Sequence, residues 1–191
     1  MVKFSLITIH LFYGFFQALY ILYINDKPKK RYIKNWSKRL LSILKIHLEI
    51  NQDLNKILSN NHFLIVSNHI SWLDIFLINS IVPISFLSKG DVESWPLIGK
   101  LTKCADTIYI KRGNKKSLTM ASDQIEKKLN KMDSVYFFPE GFATDGSRLL
   151  PFKSNFFQTA INCNINILPL SIRYTSDGKF TSSPSYAGDI S

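Results

Sequence analysis

The chain has 191 residues, with 24 Lys and Arg against 14 Asp and Glu and a formal net charge of +10. That length suits one domain with a sizeable core, and the charge favours an anionic partner such as a phosphorylated substrate, a lipid surface or nucleic acid. Two cysteines, Cys104 and Cys163, and four histidines with no HExxH spacing exclude a disulfide framework, a CxxC zinc site and a zincin-type metal centre.

Residues 4–24, FSLITIHLFYGFFQALYILYI, carry no charged side chain and as a helix would reach about 30 Å, the thickness of a bilayer's hydrocarbon core. The stretch reads as a membrane segment. His10, Gly14 and Gln17 dilute it, so it spans with a polar face against protein, lies in the interface, or pairs with the next helix. No small-residue cleavage site follows, which points to a retained anchor. Lys27, Lys29, Lys30, Arg31, Lys34, Lys38, Arg39 and Lys45 then meet no acid before Glu49. The positive-inside rule puts the remainder on the cytoplasmic face, of the inner membrane in a bacterium. From Tyr32 to Ile50, Ile33, Trp36, Leu40, Leu41, Leu44 and Leu48 recur at helical spacing and predict a basic amphipathic helix. Such a helix suits an anionic membrane surface and equally a solvated face over a core. A boundary near residue 52 separates this part, 1–51, from the rest, 52–191.

Beyond it, strand and helix patterns alternate. Phe63–Ser67, Ile84–Ser88, Thr107–Lys111, Ser134–Phe138 and Ile167–Tyr174 read as strands, the last broken by Pro169. Leu118, Ala121, Ile125, Leu129 and Met132 share one helical face, and Phe152–Ile161 suggests a further helix. The expected class is α/β, a mainly parallel mixed sheet flanked by helices, preceded by membrane-associated helices. Ligands of such sheets gather at the carboxyl ends of strands.

The distinctive residues fall on those ends. VSNHISWLD, 66–74, places His69 on the turn after a strand and Asp74 in the first turn of a helix. On one continuous helix these two would point about 140° apart, so a working pair needs the strand-to-helix bend that the pattern supplies. An imidazole backed by a carboxylate can take a proton from a hydroxyl near neutral pH. The same two residues also suit a capped turn with a helix-start acid. Tyr109-Ile110-Lys111-Arg112-Gly113 ends a strand in two cations and a glycine, an arrangement that can clamp a phosphate or simply face solvent. Phe137-Phe138-Pro139-Glu140-Gly141 ends an apolar strand in a carboxylate, which must find donors or line a cleft. Arg148 and Lys153 follow as further candidate anion contacts, and Leu168-Pro169-Leu170 marks an edge or bulge.

In this order NHISWLD, YIKRG, FFPEG and ILPL resemble the four motif blocks of the glycerolipid acyltransferases, nearest to the lysophosphatidic acid acyltransferases with their HXXXXD motif. The resemblance covers residues 60–175. It implies transfer of a fatty acyl chain from acyl-CoA or acyl carrier protein to a lysolipid hydroxyl, foremost that of 1-acyl-glycerol 3-phosphate, with no cofactor and no metal. His69 would be the general base and Asp74 its partner. Arg112, Glu140 and Gly141 match blocks tied to the acceptor's head group, with Arg148 and Lys153 beside them, and Pro169 matches the fourth block. The third block departs from the usual FPEGT: Phe142 replaces the threonine and Arg148 is the next cation. The longer FPEGxxxDG and LPFK pattern resembles lyso-ornithine-lipid acyltransferases, which makes a zwitterionic acceptor the alternative. Family members usually continue past Tyr186–Ser191, so the resemblance implies a shortened chain. A non-catalytic peripheral membrane protein of this fold is the competing class. A nucleic-acid module is the weaker one, for want of a recognisable motif.

Overall fold

The computed structural model describes residues 2–24, 29–59, 61–111 and 113–185; Arg112 and Tyr186–Ser191, singled out above, lie outside them. Five strands, β1 (Leu64–Ser67), β2 (Ser85–Lys89), β3 (Ile108–Ile110), β4 (Val135–Phe137) and β5 (Ile167–Leu170), form one sheet in the order β3-β2-β4-β1-β5. Every pairing in it is parallel, where a mainly parallel mixed sheet was expected. Among the described residues antiparallel pairing is confined to a small hairpin of β6 (Thr175–Ser176) and β7 (Lys179–Phe180).

The two central strands, β1 and β4, are buried along their whole length, as befits strands covered on both faces. Alternate residues serve opposite layers. Leu64, Val66, Val135 and Phe137 meet Ala121, Ile125 and Leu129 of α6 (Lys115–Leu129), with Phe156 and Ala160 around α7 (Phe157–Asn162). Ile65 and Tyr136 face the other way, onto Ile78 of α4 (Leu73–Ile81), with Ile84 and Phe86. Leu58 of α3 (Leu54–Ser59) packs against that second layer. Between β2 and β3 the chain makes a 3-10 turn at Gly90–Ser94 and α5 (Ile98–Cys104), neither of which the apolar pattern signals.

Three expected elements are shorter. Helix α6 ends at Leu129, capped by Asn130, and Met132, in a left-handed turn at φ 61°, is 70% exposed instead of sharing the buried face. The helix expected over 152–161 is only α7; ahead of it the amide of Lys153 donates to Pro139 O at 2.9 Å, which ties this stretch to the FFPEG loop. Strand β5 ends at Leu170, and its single neighbour is β1, so Pro169 sits on an edge strand as its missing N–H requires.

At the N-terminus α1 (Val2–Ile24) and α2 (Lys29–Leu44) pack on each other, α1 also against α5 and α2 against α4. The amphipathic helix ends at Leu44 and not at Ile50, since Lys45 turns left-handed (φ 59°) and the Ile46 amide closes back on Leu41 O at 2.9 Å. Leu41, Leu44 and Ile46 join Ile70, Leu73, Leu77 and Tyr174 in one cluster. No helix among the described residues is long and apolar enough to cross a membrane. Of the three dispositions open to residues 4–24, pairing with the next helix is the one observed. Gly14 makes it close, for a Cβ there would lie 2.2 Å from Trp36 Nε1. The His10 ring stacks on Trp36 at 4.7 Å and 11°, Nε2 donates to Trp36 O at 3.1 Å, and the buried Nδ1 has no partner among the described residues.

Burial holds the His10 pKa below its ordinary 6.5, with Arg39 pushing the same way and the Trp36 carbonyl opposing. A histidine whose folded pKa is depressed stabilises the docked state above the unfolded value and loses that contribution as pH falls. In a Trp72→Phe/Trp95→Phe background, Trp36 emission is expected to shift red as pH drops below about 6.5, and His10→Phe to abolish that dependence. Gly14→Val is expected to give the red-shifted state at neutral pH while the melting of the sheet is retained.

Candidate active site

Strand β1 ends at Ser67, Asn68 to Trp72 turn the chain, and α4 begins at Leu73, so Asp74 lies in the first helical turn facing back on His69. His69 Nδ1 is 2.8 Å from Asp74 Oδ2. The same oxygen accepts the amides of Ile70 at 2.8 Å and Ser71 at 3.0 Å, and Oδ1 accepts the hydroxyl of Tyr174 at 2.7 Å. Asp74 is fully buried, a position a carboxylate tolerates only with donors around it. The capped turn and the imidazole partner, alternatives from sequence, are therefore one arrangement. Because an ionised carboxylate only accepts, the ring proton sits on Nδ1 and Nε2 is left as the basic nitrogen. The His69 side chain is 19% exposed, and its ring stacks on Phe138 at 3.9 Å and 14°.

The FFPEG turn reaches His69 through the register of the sheet. Val66 on β1 pairs with Phe137 on β4, and three residues further along the chain from each, in the turns beyond the strand ends, stand His69 and Glu140. Glu140 Oε1 accepts the His69 amide at 2.9 Å, and Oε2 accepts the Leu150 amide at 2.9 Å. The Thr144 amide donates to His69 O at 2.8 Å. One loop thus holds both backbone polar atoms of His69. Glu140 is 1% exposed with both oxygens engaged, so it offers no surface to a head group, and its place in the geometry is to position His69. The amides of His69, Ile70 and Ser71, a candidate source of oxyanion donors in this turn, are likewise taken by Glu140 and Asp74.

Gly141, at φ +75°, admits a neighbour from this chain: a Cβ there would come within 2.8 Å of Lys153 Nζ. That ammonium lies 4.6 Å from the centroid of the Phe142 ring. Arg148 is exposed further along the same loop. Asp145 accepts the Ser147 hydroxyl at 2.7 Å and its amide at 2.9 Å, which hold its carboxyl below the usual range, with Arg148 adding a smaller pull. Gly146, at φ +79°, brings the loop against Ile70, where a Cβ would meet Cδ1 at 2.7 Å.

Sequence reasoning missed three residues that complete the arrangement. The Asn68 side chain donates from Nδ2 to Ile172 O at 2.9 Å and accepts the Ile172 amide on Oδ1 at 2.8 Å, continuing the β1–β5 ladder past its last backbone pair. Tyr174 and Thr144 carry no local pattern that marks them. The asparagine beside the histidine is the one signal that was available.

The sequence profile of the acyltransferase family matches residues 45–173, two thirds of the chain. A 1-acyl-sn-glycerol-3-phosphate acyltransferase of Neisseria gonorrhoeae is 35% identical over 162 residues, which cover 84% of this chain and 63% of that protein. A lyso-ornithine lipid O-acyltransferase of Pseudomonas aeruginosa is 30% identical over 161 residues, 84% of this chain and 60% of that one. The chain therefore spans somewhat under two thirds of the length of these relatives. In fold it is similar to the crystal structure of the 1-acyl-sn-glycerophosphate acyltransferase PlsC of Thermotoga maritima, with a TM-score of 0.70 and 24% identity over 87% of this chain and 69% of that one. With the HXXXXD pair closed, the FFPEG turn locked against it and two thirds of the sequence matched, this chain belongs to the acyltransferase family.

Proposed function

We propose that the chain is an O-acyltransferase that moves a fatty acyl group from the thioester of acyl-CoA or acyl carrier protein to the hydroxyl of 1-acyl-glycerol 3-phosphate, giving phosphatidate. The observation that carries it is His69 Nδ1 held on the buried Asp74 carboxylate at the carboxyl ends of adjacent parallel strands. With Nδ1–H donated, Nε2 takes the proton of the acceptor hydroxyl as its oxygen attacks the thioester carbonyl. The C–O bond forms, the tetrahedral intermediate expels the thiolate, and the imidazolium returns the proton to sulfur. Asp74 stabilises that imidazolium, and Glu140 and Thr144 fix the backbone that carries it. Lys153 and Arg148, and Arg112 from the YIKRG turn, supply positive charge for an anionic head group.

One observation favours a second acceptor class. Phe142 stands where the related motif has threonine, and Lys153 lies over its ring, so the Lys153 charge is shared with an aromatic face. A zwitterionic lyso-ornithine lipid fits such a pair, and the P. aeruginosa relative bears that name.

Lysolipid substrates of this kind would be met at a membrane surface. Helix α1 exposes Leu6, Ile9, Phe12, Phe16, Leu19 and Tyr20, and basic α2 lies against it. An apolar stripe beside a row of lysines suits peripheral attachment to an anionic leaflet at its cytoplasmic face.

His69→Gln and Asp74→Asn are each expected to lower kcat about 10²–10⁴-fold with matched thioester donors, and incorporation equal to wild type in both would reject the mechanism. Lysophosphatidate, lysophosphatidylcholine and lyso-ornithine lipid offered in parallel rank the acceptors. Turnover is expected to be highest on lysophosphatidate, and a preference for lyso-ornithine lipid would reassign the acceptor while leaving the dyad in place. Glu140→Gln, which replaces one accepting oxygen by an NH2 facing an amide, is expected to cost about 1.5–3 kcal/mol of stability in chemical denaturation. Co-sedimentation with phosphatidylglycerol vesicles is expected to fall steeply between 50 mM and 500 mM salt, roughly the range over which the screening length shrinks below 10 Å.

A further inference from the structure

We propose that Tyr174 is a third member of the catalytic unit, a positioning residue whose hydroxyl orients the Asp74 carboxylate and sets how strongly it supports His69. The inference rests on the acyltransferase reading for its kinetic part alone.

The geometry is specific. Three of the donors around Asp74, the His69 ring and the amides of Ile70 and Ser71, converge on Oδ2. They fix one oxygen and leave the carboxylate able to swing about it. Tyr174 engages the other, Oδ1, at 2.7 Å across a separation of 100 residues, and is itself 8% exposed. Two oxygens held from two directions define the plane of the carboxylate, and with it the line along which Oδ2 meets Nδ1.

Tyr174 is held in place on both sides. Upstream, the paired hydrogen bonds of Asn68 fix Ile172 beside β1. Downstream, the Thr181 amide donates to Tyr174 O at 3.0 Å, closing the β6–β7 hairpin over it. Arg173 rests over Phe180 of that hairpin at 5.9 Å. The turn after the fourth motif block is thereby built to deliver one hydroxyl to Asp74. Other titratable groups near the pair are Glu140, on the His69 amide, and Tyr136, whose phenol donates to Ser67 Oγ at 2.6 Å and is kept neutral by burial, which pushes its pKa far up.

A hydroxyl donating to a carboxylate withdraws part of the charge that the imidazolium feels. Removing it leaves Asp74 the stronger base and His69 easier to protonate, while freeing the carboxylate to rotate. For Tyr174→Phe the expected result is a kcat lower by about tenfold, as for loss of one hydrogen bond to a charged group, with KM for lysolipid and thioester unchanged. The acid limb of the pH–rate profile moves to higher pH, and the His69 ring signals in nitrogen-15 NMR, assigned by their loss in His69→Gln, titrate at higher pH too. A ring-fluorinated tyrosine at position 174, a stronger donor of nearly the same size, moves both in the opposite direction and keeps the test open should Tyr174→Phe fold poorly. Lower thermal stability with superimposable pH profiles and NMR titrations would make Tyr174 structural only and overturn the proposal. The NMR titration needs no turnover, so wild-type protein inactive on every lysolipid would sink the acyltransferase reading and leave this one standing or falling by itself.

Discussion

Burying an ionised carboxylate is expensive, and the centre of this protein is organised around doing so twice. Asp74 and Glu140 are both almost wholly withdrawn from solvent, and each is satisfied by backbone amides. Asp74 adds a phenol and an imidazole to its donors. Desolvation of either charge without those donors would cost several kcal/mol, a large share of the stability of a domain this size. The donors come from the turn after β1, from the loop after β4 and from the segment after β5, so the native arrangement of three distant stretches is what makes the two charges tolerable. The same arrangement leaves His69 with one nitrogen committed and the other free for chemistry. Stability and the proposed activity here have a common origin.

A parallel sheet is the economical way to bring these stretches together. Side-by-side strands running one way deliver their outgoing turns to one edge, and the order β4-β1-β5 places the FFPEG turn and the segment to Tyr174 on either side of the histidine turn. The equal offset of His69 and Glu140 from the paired Val66 and Phe137 shows how little freedom remains. A one-residue slip of β4 against β1 would turn Tyr136 into the α6 layer and carry Glu140 away from the His69 amide. Four consecutive buried residues on β1 and three on β4 oppose such a slip from both faces.

Much of this was legible in the sequence because the signals are local. The strand positions were marked by short apolar runs, and the bend between His69 and Asp74 by the change from a strand run to a helix start. The buried carboxylate of Glu140 stood out as a charge ending an apolar strand. What the sequence did not carry was the direction each side chain takes. Glu140, which the pattern left either to find donors or to line a cleft and the resemblance tied to a head group, takes the first course and faces the His69 amide in the turn after β1. Tyr174 has nothing around it to announce a partner a hundred residues away. Met132 continued the apolar period of α6 but fell beyond the turn that ends it. Periodicity reports which face would be buried if the helix went on, and it does not report where the helix stops.

The two N-terminal helices differ in how firmly they belong to the rest. Leu41 and Leu44 of α2 enter the cluster that contains Ile70, Leu73 and Tyr174, so α2 helps to seat the residues that flank the dyad and cannot leave without opening that core. Helix α1 holds on by smaller means: the Gly14 gap that admits Trp36, the stacked His10, and the group of Ala18 and Ile21 with Cys104. Its outer face keeps large apolar and aromatic side chains in solvent, a cost that a single partner helix does not remove. Aromatic contacts run from His10 to Trp36, from Trp36 to Phe76 and from Phe76 to Trp72, two residues before Asp74. A change in how α1 sits would therefore be felt first at Trp36 and Phe76, through packing, before it reached the carboxylate. The weakly held helix is the one with an apolar face still to cover, and the firmly held one carries the positive charge. A lipid surface that takes the first and attracts the second would leave the sheet and its two buried charges undisturbed.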